Sequence, residues 1–263
     1  MAVKIAFING KGGVGKTTGV FHVAGVLSKT SEKVLVLDFD KQKNISRTLF
    51  KHTKVPVHTI YDVMMGANPE TAVAQAMFQT RENANPKYYG VSCMAGDSRL
   101  ASEMQIERID GAHFGDVLNT YIVREGYTWV LADLPPSNNA INDLCFSHVV
   151  DSLIVPFSVD IYSVEGYGDT MDMVQGARGL NPKLNILGIY LSRYMNNCGA
   201  HNFIKSELLK FGSIFLDVQI PEANAHITEC AMFGRPLSYY KKPSGSAARR
   251  AYESLVEEIK RRV

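Results

Sequence analysis

The stretch Val3-Lys4-Ile5-Ala6-Phe7-Ile8-Asn9-Gly10-Lys11-Gly12-Gly13-Val14-Gly15-Lys16-Thr17-Thr18 decides the fold. Its first half is an apolar run of strand length. Its second half opens a segment of helical period from Lys16 to about Thr30, with Val20, Val23, Ala24 and Leu27 on one face. Between them, Gly10 to Thr17 fits the G-x-x-x-x-G-K-[ST] pattern in the strand, loop and helix setting that gives it physical meaning. Glycines let the backbone turn its N–H groups toward phosphates, and the positive end of the following helix adds to the attraction. Lys16 supplies a point charge at the β and γ phosphates. Thr17 offers a hydroxyl to magnesium, which prefers hard oxygen ligands. A nucleoside triphosphate with Mg2+ is the expected ligand.

Outward from this unit, strand-length apolar runs alternate with helical segments. The runs are Lys33 to Asp38, Gly90 to Met94, Trp129 to Asp133, Ser152 to Pro156, Asn185 to Ser192 and Ile214 to Ile220. Helical stretches include Phe114 to Glu125 and Val164 to Leu180. The pattern predicts an α/β, P-loop NTPase-like three-layer sandwich, a mostly parallel twisted sheet with helices on both faces and right-handed crossovers. A chain of 263 residues sits near the upper limit for one core, so a single P-loop domain over residues 1–263 is expected; Asn83 to Lys87 is linker-like but too short to divide it.

Two more acidic elements belong with the loop. Trp129-Val130-Leu131-Ala132-Asp133 has the form of a buried strand ending in a magnesium-directed carboxylate, with a helix cap after Pro135 and Pro136 as the alternative use of Asp133. Asp38-Phe39-Asp40 ends the second strand, on the edge where open α/β sheets bind ligands. There one carboxylate would sit near magnesium and the other would orient the attacking water; a turn role for Asp40 is the plainer option. No N-K-x-D guanine reader occurs, so ATP is the expected nucleotide.

These residues resemble the ParA/MinD family of deviant Walker A ATPases, and within it the small ParA/Soj-type partition proteins. The similarity runs through K-G-G-V-G-K-T-T from Lys11 to Thr18, D-F-D-K-Q-K-N from Asp38 to Asn44, A-D-L-P-P-S from Ala132 to Ser137, V-P-F-S-V-D from Val155 to Asp160, Ile220-Pro221, and E-C-A-M-F-G-R-P from Glu229 to Pro236. The resemblance implies that Lys11 is the signature lysine reaching a partner subunit's site, that Asp40 positions water, and that Thr17, Asp38 and Asp133 form the magnesium neighbourhood. It places Thr18, Pro221 and Glu222 among the nucleotide contacts. It further implies an ATP-bound sandwich homodimer that holds non-specific DNA, and slow hydrolysis stimulated by a ParB-like centromere-binding protein. A cytoplasmic, nucleoid-associated location follows.

The similarity has gaps. Lys41 and Lys43 stand where the family commonly has proline and glycine, Glu222 where many relatives carry arginine, and His226 in the place that best aligns with the family arginine supporting DNA binding. From Ala231 to Val263 there are eight Lys or Arg against three Glu, while the whole chain carries only +2. Arg193, Lys205, Lys210, Arg235, Lys241, Lys242, Arg249 and Arg250 are therefore the candidate phosphate-facing cations. The first strand begins at Val3, so no N-terminal helix-turn-helix is expected.

Three rival readings have sequence handles. A MinD-like membrane cycle would use the stripe Tyr252, Leu255, Val256 and Ile259, although packing against the domain explains the same stripe. A nitrogenase iron protein type would need two cysteine ligands per subunit; Cys93 is one, but Cys145 lies too far from Asp133. A loop-based tyrosine kinase would need a tyrosine tail, of which only Tyr239-Tyr240 exists. The four scattered cysteines suggest a reduced compartment without disulfides, and no run approaches the ~20 apolar residues of a membrane span.

Overall fold

A computed structural model describes the chain apart from residues 31, 79–86, 137–138, 160–162, 211, 213 and 241–244 and the side chains of 87–89 and 163–166. Eight strands form one sheet: β1 (Val3–Phe7), β2 (Val34–Asp38), β3 (Val73–Phe78), β4 (Lys87–Met94), β5 (Trp129–Asp133), β6 (Ser152–Ser158), β7 (Asn185–Tyr194) and β8 (Phe215–Pro221). Their order is β3-β4-β2-β5-β1-β6-β7-β8, parallel throughout except for β3, which runs antiparallel to β4. The predicted α/β class and mostly parallel sheet are observed, and every predicted strand is present within a few residues of its expected ends.

Burial on both faces explains why the central strands read as continuous apolar runs. Ile5 and Phe7 of β1 join Val34 and Val36 of β2 in one core, whereas Ala6 and Ile8 join Leu35 and Leu37 in the other, as the two-residue strand period requires. The first core is closed by α1 (Lys16–Leu27), α2 (Asn44–Leu49) and α10 (Ser246–Arg262). The second is closed by α5 (Gly111–Glu125), α6 (Ala140–His148) and α7 (Ser163–Leu180). Four further helices complete the described set: α3 (Ile60–Met64), α4 (Glu103–Ile106), α8 (Gly199–Leu209) and α9 (Asn224–Met232).

The strand β3 escapes sequence reading because Val-Ala-Gln-Ala-Met-Phe is poor in β-branched residues and lies half-exposed at the sheet edge. The stripe on α10 is fully accounted for: Tyr252, Leu255, Val256 and Ile259 are each at most 3 % exposed and pack in the α1 core. Each contributes roughly 1.5–3 kcal/mol by burial, so this face is not available to a bilayer. Among the described residues no helix is long and apolar enough to cross a membrane.

The register places the functional carboxylates. Phe7 of β1 and Asp38 of β2 both pair with Asp133 of β5, so the three strands end level with one another at the carboxyl edge of the sheet.

Candidate nucleotide site

The loop leaves β1 through Asn9, whose side chain fastens it at both ends. Asn9 Nδ2 donates to the Pro156 carbonyl at 2.9 Å, and Asn9 Oδ1 accepts from the Lys11 N–H at 2.8 Å. Gly13 and Gly15 adopt left-handed backbone, φ 76° and 99°, which glycine takes without a Cβ penalty. Ser192 of β7 donates its hydroxyl to the Val14 carbonyl at 2.7 Å and holds the loop from below. Helix α1 then starts at Lys16 with no side-chain cap at its amino end, leaving its first N–H groups for a ligand.

Lys16 is buried and its ammonium donates to the carbonyls of Asn9 (2.9 Å) and Lys11 (3.1 Å). Burial lowers its pKa, and the charges of Asp133 and Asp40 oppose that drop. Lys11 lies exposed on the loop.

Asp133 is 1 % exposed, and neither carboxylate oxygen has a hydrogen-bond partner. Burial pushes its carboxyl well above the usual range, Asp38 and Asp40 add to the rise, and Thr17 and Lys16 nearby offset part of it. The helix-cap alternative for Asp133 fails, because the cap of α6 is Asn139, whose side chain accepts from the Asn142 N–H at 3.1 Å.

Asp38 is held by a local hydrogen-bond network. Its Oδ1 accepts from the Asp40 N–H at 3.2 Å, and its Oδ2 from the Ser46 N–H at 3.0 Å and the Ser46 hydroxyl at 2.5 Å. Oδ2 thus anchors the start of α2 and Oδ1 the turn before it, at the strand end level with Asp133. Burial nevertheless lifts its pKa to about 6, against the hydrogen bonds from Ser46 and Asp40. Ser46, which accepts in turn from the Gly96 N–H at 2.9 Å, carries no sequence signal for this role. Asp40 Oδ1 accepts from the Gln42 N–H at 2.9 Å in a local turn, and the residue lines the cleft.

That cleft, about 570 Å3, is bounded by the loop residues Gly12, Gly13, Gly15, Lys16, Thr17 and Thr18 on one side and by Phe39 to Gln42 on another. A wall of Leu100, Ala101, Glu103 and Ile106, together with Pro135, Pro136, Asn139 and Ile141, closes it. The sequence reading missed Leu100, Ala101, Glu103 and Ile106, which share no motif. Among the described residues no three His, Cys, Asp or Glu side chains converge tightly enough to hold a metal ion alone. The site instead offers an orphaned carboxylate and a hydroxyl, which suits a magnesium ion completed by phosphate oxygens and water.

Other expected contacts lie elsewhere. Pro221 and Glu222 stand at the end of β8, three strands along the sheet from β1 and outside the cleft, with Glu222 Oε1 accepting from Asn224 (2.7 Å) and Arg193 (3.3 Å). Among the candidate DNA cations, Arg235 is corrected: it is only 5 % exposed, with its guanidinium 5.4 Å from the Tyr240 ring, and cannot face a phosphate. Lys210 pairs with Glu207 at 2.6 Å, Arg249 with Glu253 at 3.9 Å, and Lys205 lies over the Tyr194 ring. Arg250 is exposed, and Lys241 and Lys242 lie outside the described residues. Cys93 and Cys145 are wholly buried and all four cysteines are unbridged, so neither presents a cluster ligand to a second subunit. Tyr239 and Tyr240 are packed, with their hydroxyls against Ser28 (3.0 Å) and Glu229 (2.6 Å), and do not form a tail.

Comparison with known proteins agrees with this geometry. A family model described as an AAA domain matches residues 2–186. The chromosome partitioning protein ParA of Caulobacter vibrioides is 32 % identical over 262 residues, covering 97 % of this chain and 92 % of its own. The chromosome-partitioning ATPase Soj of Thermus thermophilus is 28 % identical, covering 99 % and 96 %. Among solved structures, an ATP complex of a McdA variant from Cyanothece superposes with a TM-score of 0.77 at 20 % identity, covering 98 % of this chain and 96 % of that one.

Proposed function

This chain belongs to the AAA domain family and, within it, to the ParA/MinD type of ATPases, and from that premise we propose that it is a partition-type switch. It binds ATP with Mg2+, closes into a sandwich dimer, and hydrolyses ATP slowly until a ParB-like partner stimulates it. The closed dimer holds DNA without sequence preference, which makes the protein cytoplasmic and nucleoid-associated, working as one ATPase domain over residues 1–263. The observation that carries this reading is Asp133, a buried carboxylate without a hydrogen-bond partner at the end of β5, beside the phosphate loop.

The roles follow from placement. Loop N–H groups from Gly12 to Thr18 and the ammonium of Lys16 receive the phosphates, and Lys16 exchanges its two carbonyl contacts for phosphate oxygens. Thr17 and Asp133 are the residues that would hold magnesium, Asp133 through water. When bound, the cation supplies charge neutralisation across the β and γ phosphates. Asp40, fixed by its turn with Gln42, orients the attacking water. Lys11, exposed at the loop, reaches the partner subunit's nucleotide. ATP and DNA are linked because a ligand that favours the dimer strengthens every interaction only the dimer makes.

The test is fluorescence anisotropy of a random-sequence duplex at fixed salt with ATP, with ADP and with an Asp40→Ala variant that retains ATP. Binding with ATP alone, stronger in Asp40→Ala, is the expected result. Equal binding with ADP, or none in any state, overturns the switch.

A further inference from the structure

Of the cations that sequence reading assigned to a phosphate-facing surface, Arg193, Lys210 and Arg249 are held in ion pairs and Arg235 is buried, whereas a second set is mostly exposed and, among the described residues, unpaired. From Lys41 to Tyr61 the chain carries Lys41, Lys43, Arg47, Lys51 and Lys54 and no carboxylate. Arg47, Lys51 and Lys54 are exposed and Lys43 is half-buried. Arg47 lies on the exposed side of the short α2, Lys43 caps its start, and Lys51 and Lys54 follow in the turn after it. The opposite side, Ile45, Ser46, Leu49 and Phe50, is buried in the core.

Among the described residues none of these cations is in an ion pair. Several cations of the carboxyl-terminal third are paired instead. There Arg193 pairs with Glu222, Lys210 with Glu207, Arg249 with Glu253, and Arg261 and Arg262 with Glu258. Unpaired cations are the ones that release condensed counterions when they meet phosphates, and that release is the source of sequence-independent affinity.

We propose that the outer side of α2, carried by Lys43, Arg47, Lys51 and Lys54, is a docking surface for the phosphate backbone of duplex nucleic acid. Long exposed cations, interleaved with Asn44, Thr48 and Thr53, form the residue set that contacts phosphate and sugar without reading bases. A lipid surface is the lesser fit, because the apolar side of α2 is spent on the core and does not face outward.

The same surface is wired to the nucleotide site. Asp38 holds the start of α2 through the Ser46 N–H and hydroxyl, and Asp40 holds the Gln42 N–H one turn earlier. Any rearrangement of Asp38 or Asp40 around a γ-phosphate therefore reorients the cationic side, which makes the surface itself responsive to ATP. This inference rests on the DNA-binding arm of the proposed function and moves its seat from the carboxyl-terminal third to the segment after Asp40.

The experiment compares wild type, the triple variant Arg47→Gln/Lys51→Gln/Lys54→Gln and the triple variant Lys205→Gln/Lys210→Gln/Arg250→Gln. Each is titrated with ATP onto a random-sequence duplex across a salt series, with thermal melting and basal ATP hydrolysis as controls. The α2 variant is expected to lose at least about tenfold in affinity and to flatten the log–log salt slope by about 2–3, with melting and hydrolysis unchanged. Wild-type affinity and slope in the α2 variant, or the loss appearing in the other triple instead, overturns this inference and leaves the switch intact. Absence of duplex binding by wild type in every nucleotide state overturns both. Binding to phosphatidylglycerol–phosphatidylcholine vesicles that depends on the α2 cations, without duplex binding, reassigns the surface to membranes and also overturns the inference.

Discussion

Two carboxylate clusters flank the same cleft and behave oppositely. In one, Arg99 donates to Asp97 at 3.0 and 2.6 Å and to Asp62 at 2.7 Å, and the Thr59 hydroxyl lies 2.8 Å from Asp97 and 3.0 Å from Asp62. Burial alone would raise the Asp97 pKa, but the hydrogen bonds from Arg99 and Thr59 outweigh it and hold the group at about 2; Asp62 is lowered in the same way. In the other cluster burial wins. Asp133 is pushed well above the usual carboxylate range and Asp38 to about 6. The difference lies in where the cation is. Arg99 is folded onto its carboxylates, whereas Lys16 hydrogen-bonds the Asn9 and Lys11 carbonyls, and Asp133 has no hydrogen-bond partner at all. The first cluster is finished and braces the wall that continues into Leu100 and Ala101; the second is completed only from outside.

The sharpest way to break this contrast is Asp133→Asn. Removing an uncompensated buried charge is expected to stabilise the nucleotide-free protein by about 1–3 kcal/mol in urea titrations. The same change should lower ATP turnover by about 100-fold or more in a phosphate-release assay, since a charge-stabilising group is lost. Wild-type turnover in Asp133→Asn would place the chemistry elsewhere. The mirror experiment is Arg99→Ala, which strips the finished cluster of its cation. Destabilisation of about 1–3 kcal/mol is expected, with ATP affinity by calorimetry close to wild type.

Acid titration distinguishes the clusters by sign. For Asp38 the folded value of about 6 exceeds the usual 3.8, so its contribution is present at low pH and is lost as pH rises through about 6. That loss is about 2–3 kcal/mol without nucleotide. For Asp97 the folded value of about 2 lies below 3.8, so its contribution is present above 3.8 and is lost as pH falls through about 2. Solvent screening reduces this one to about 1 kcal/mol. Urea midpoints followed across this range should show Asp38→Asn flattening the upper slope and Asp97→Asn the lower. Parallel profiles for both variants would erase the distinction.

The smallest effect concerns the turn that hangs from Asp38. Lys43 caps α2 at φ 58°, the left-handed region that glycine favours. Lys43→Gly should raise stability by about 0.5 kcal/mol, left-handed strain of about 1 kcal/mol being partly offset by the extra freedom of unfolded glycine. A midpoint lower than wild type would show that the lysine side chain itself supports the turn.

The legible parts of this molecule are those whose chemistry is local. The loop from Gly10 to Thr17, the strands carrying Asp38 and Asp133, and the amphipathic α10 all announce themselves by spacing or period. The edge strand β3 did not, because its residues lack strand preference and it exists by pairing with β4. Nor did Ser46, Gly96 or the wall from Leu100 to Ile106, which meet the site only through the sheet order. Arg235 read as a surface cation within a basic run, and the fold buried it under Tyr240.

The sequence alone determined the strand–loop–helix unit, the parallel α/β class, the family and the identity of the acidic and basic groups, because backbone sterics, hydrophobic period and glycine permissiveness act within a few residues. Only the tertiary structure decided which of those groups are satisfied. It gave Asp38 to Ser46, gave Asp97 to Arg99, left Asp133 without a hydrogen bond, paired Lys210 with Glu207 and Arg249 with Glu253, and, among the described residues, left the cations around α2 without ion pairs. Pairing depends on which side chains the sheet order brings within hydrogen-bond reach, and residues far apart in the chain carry no mark of that proximity.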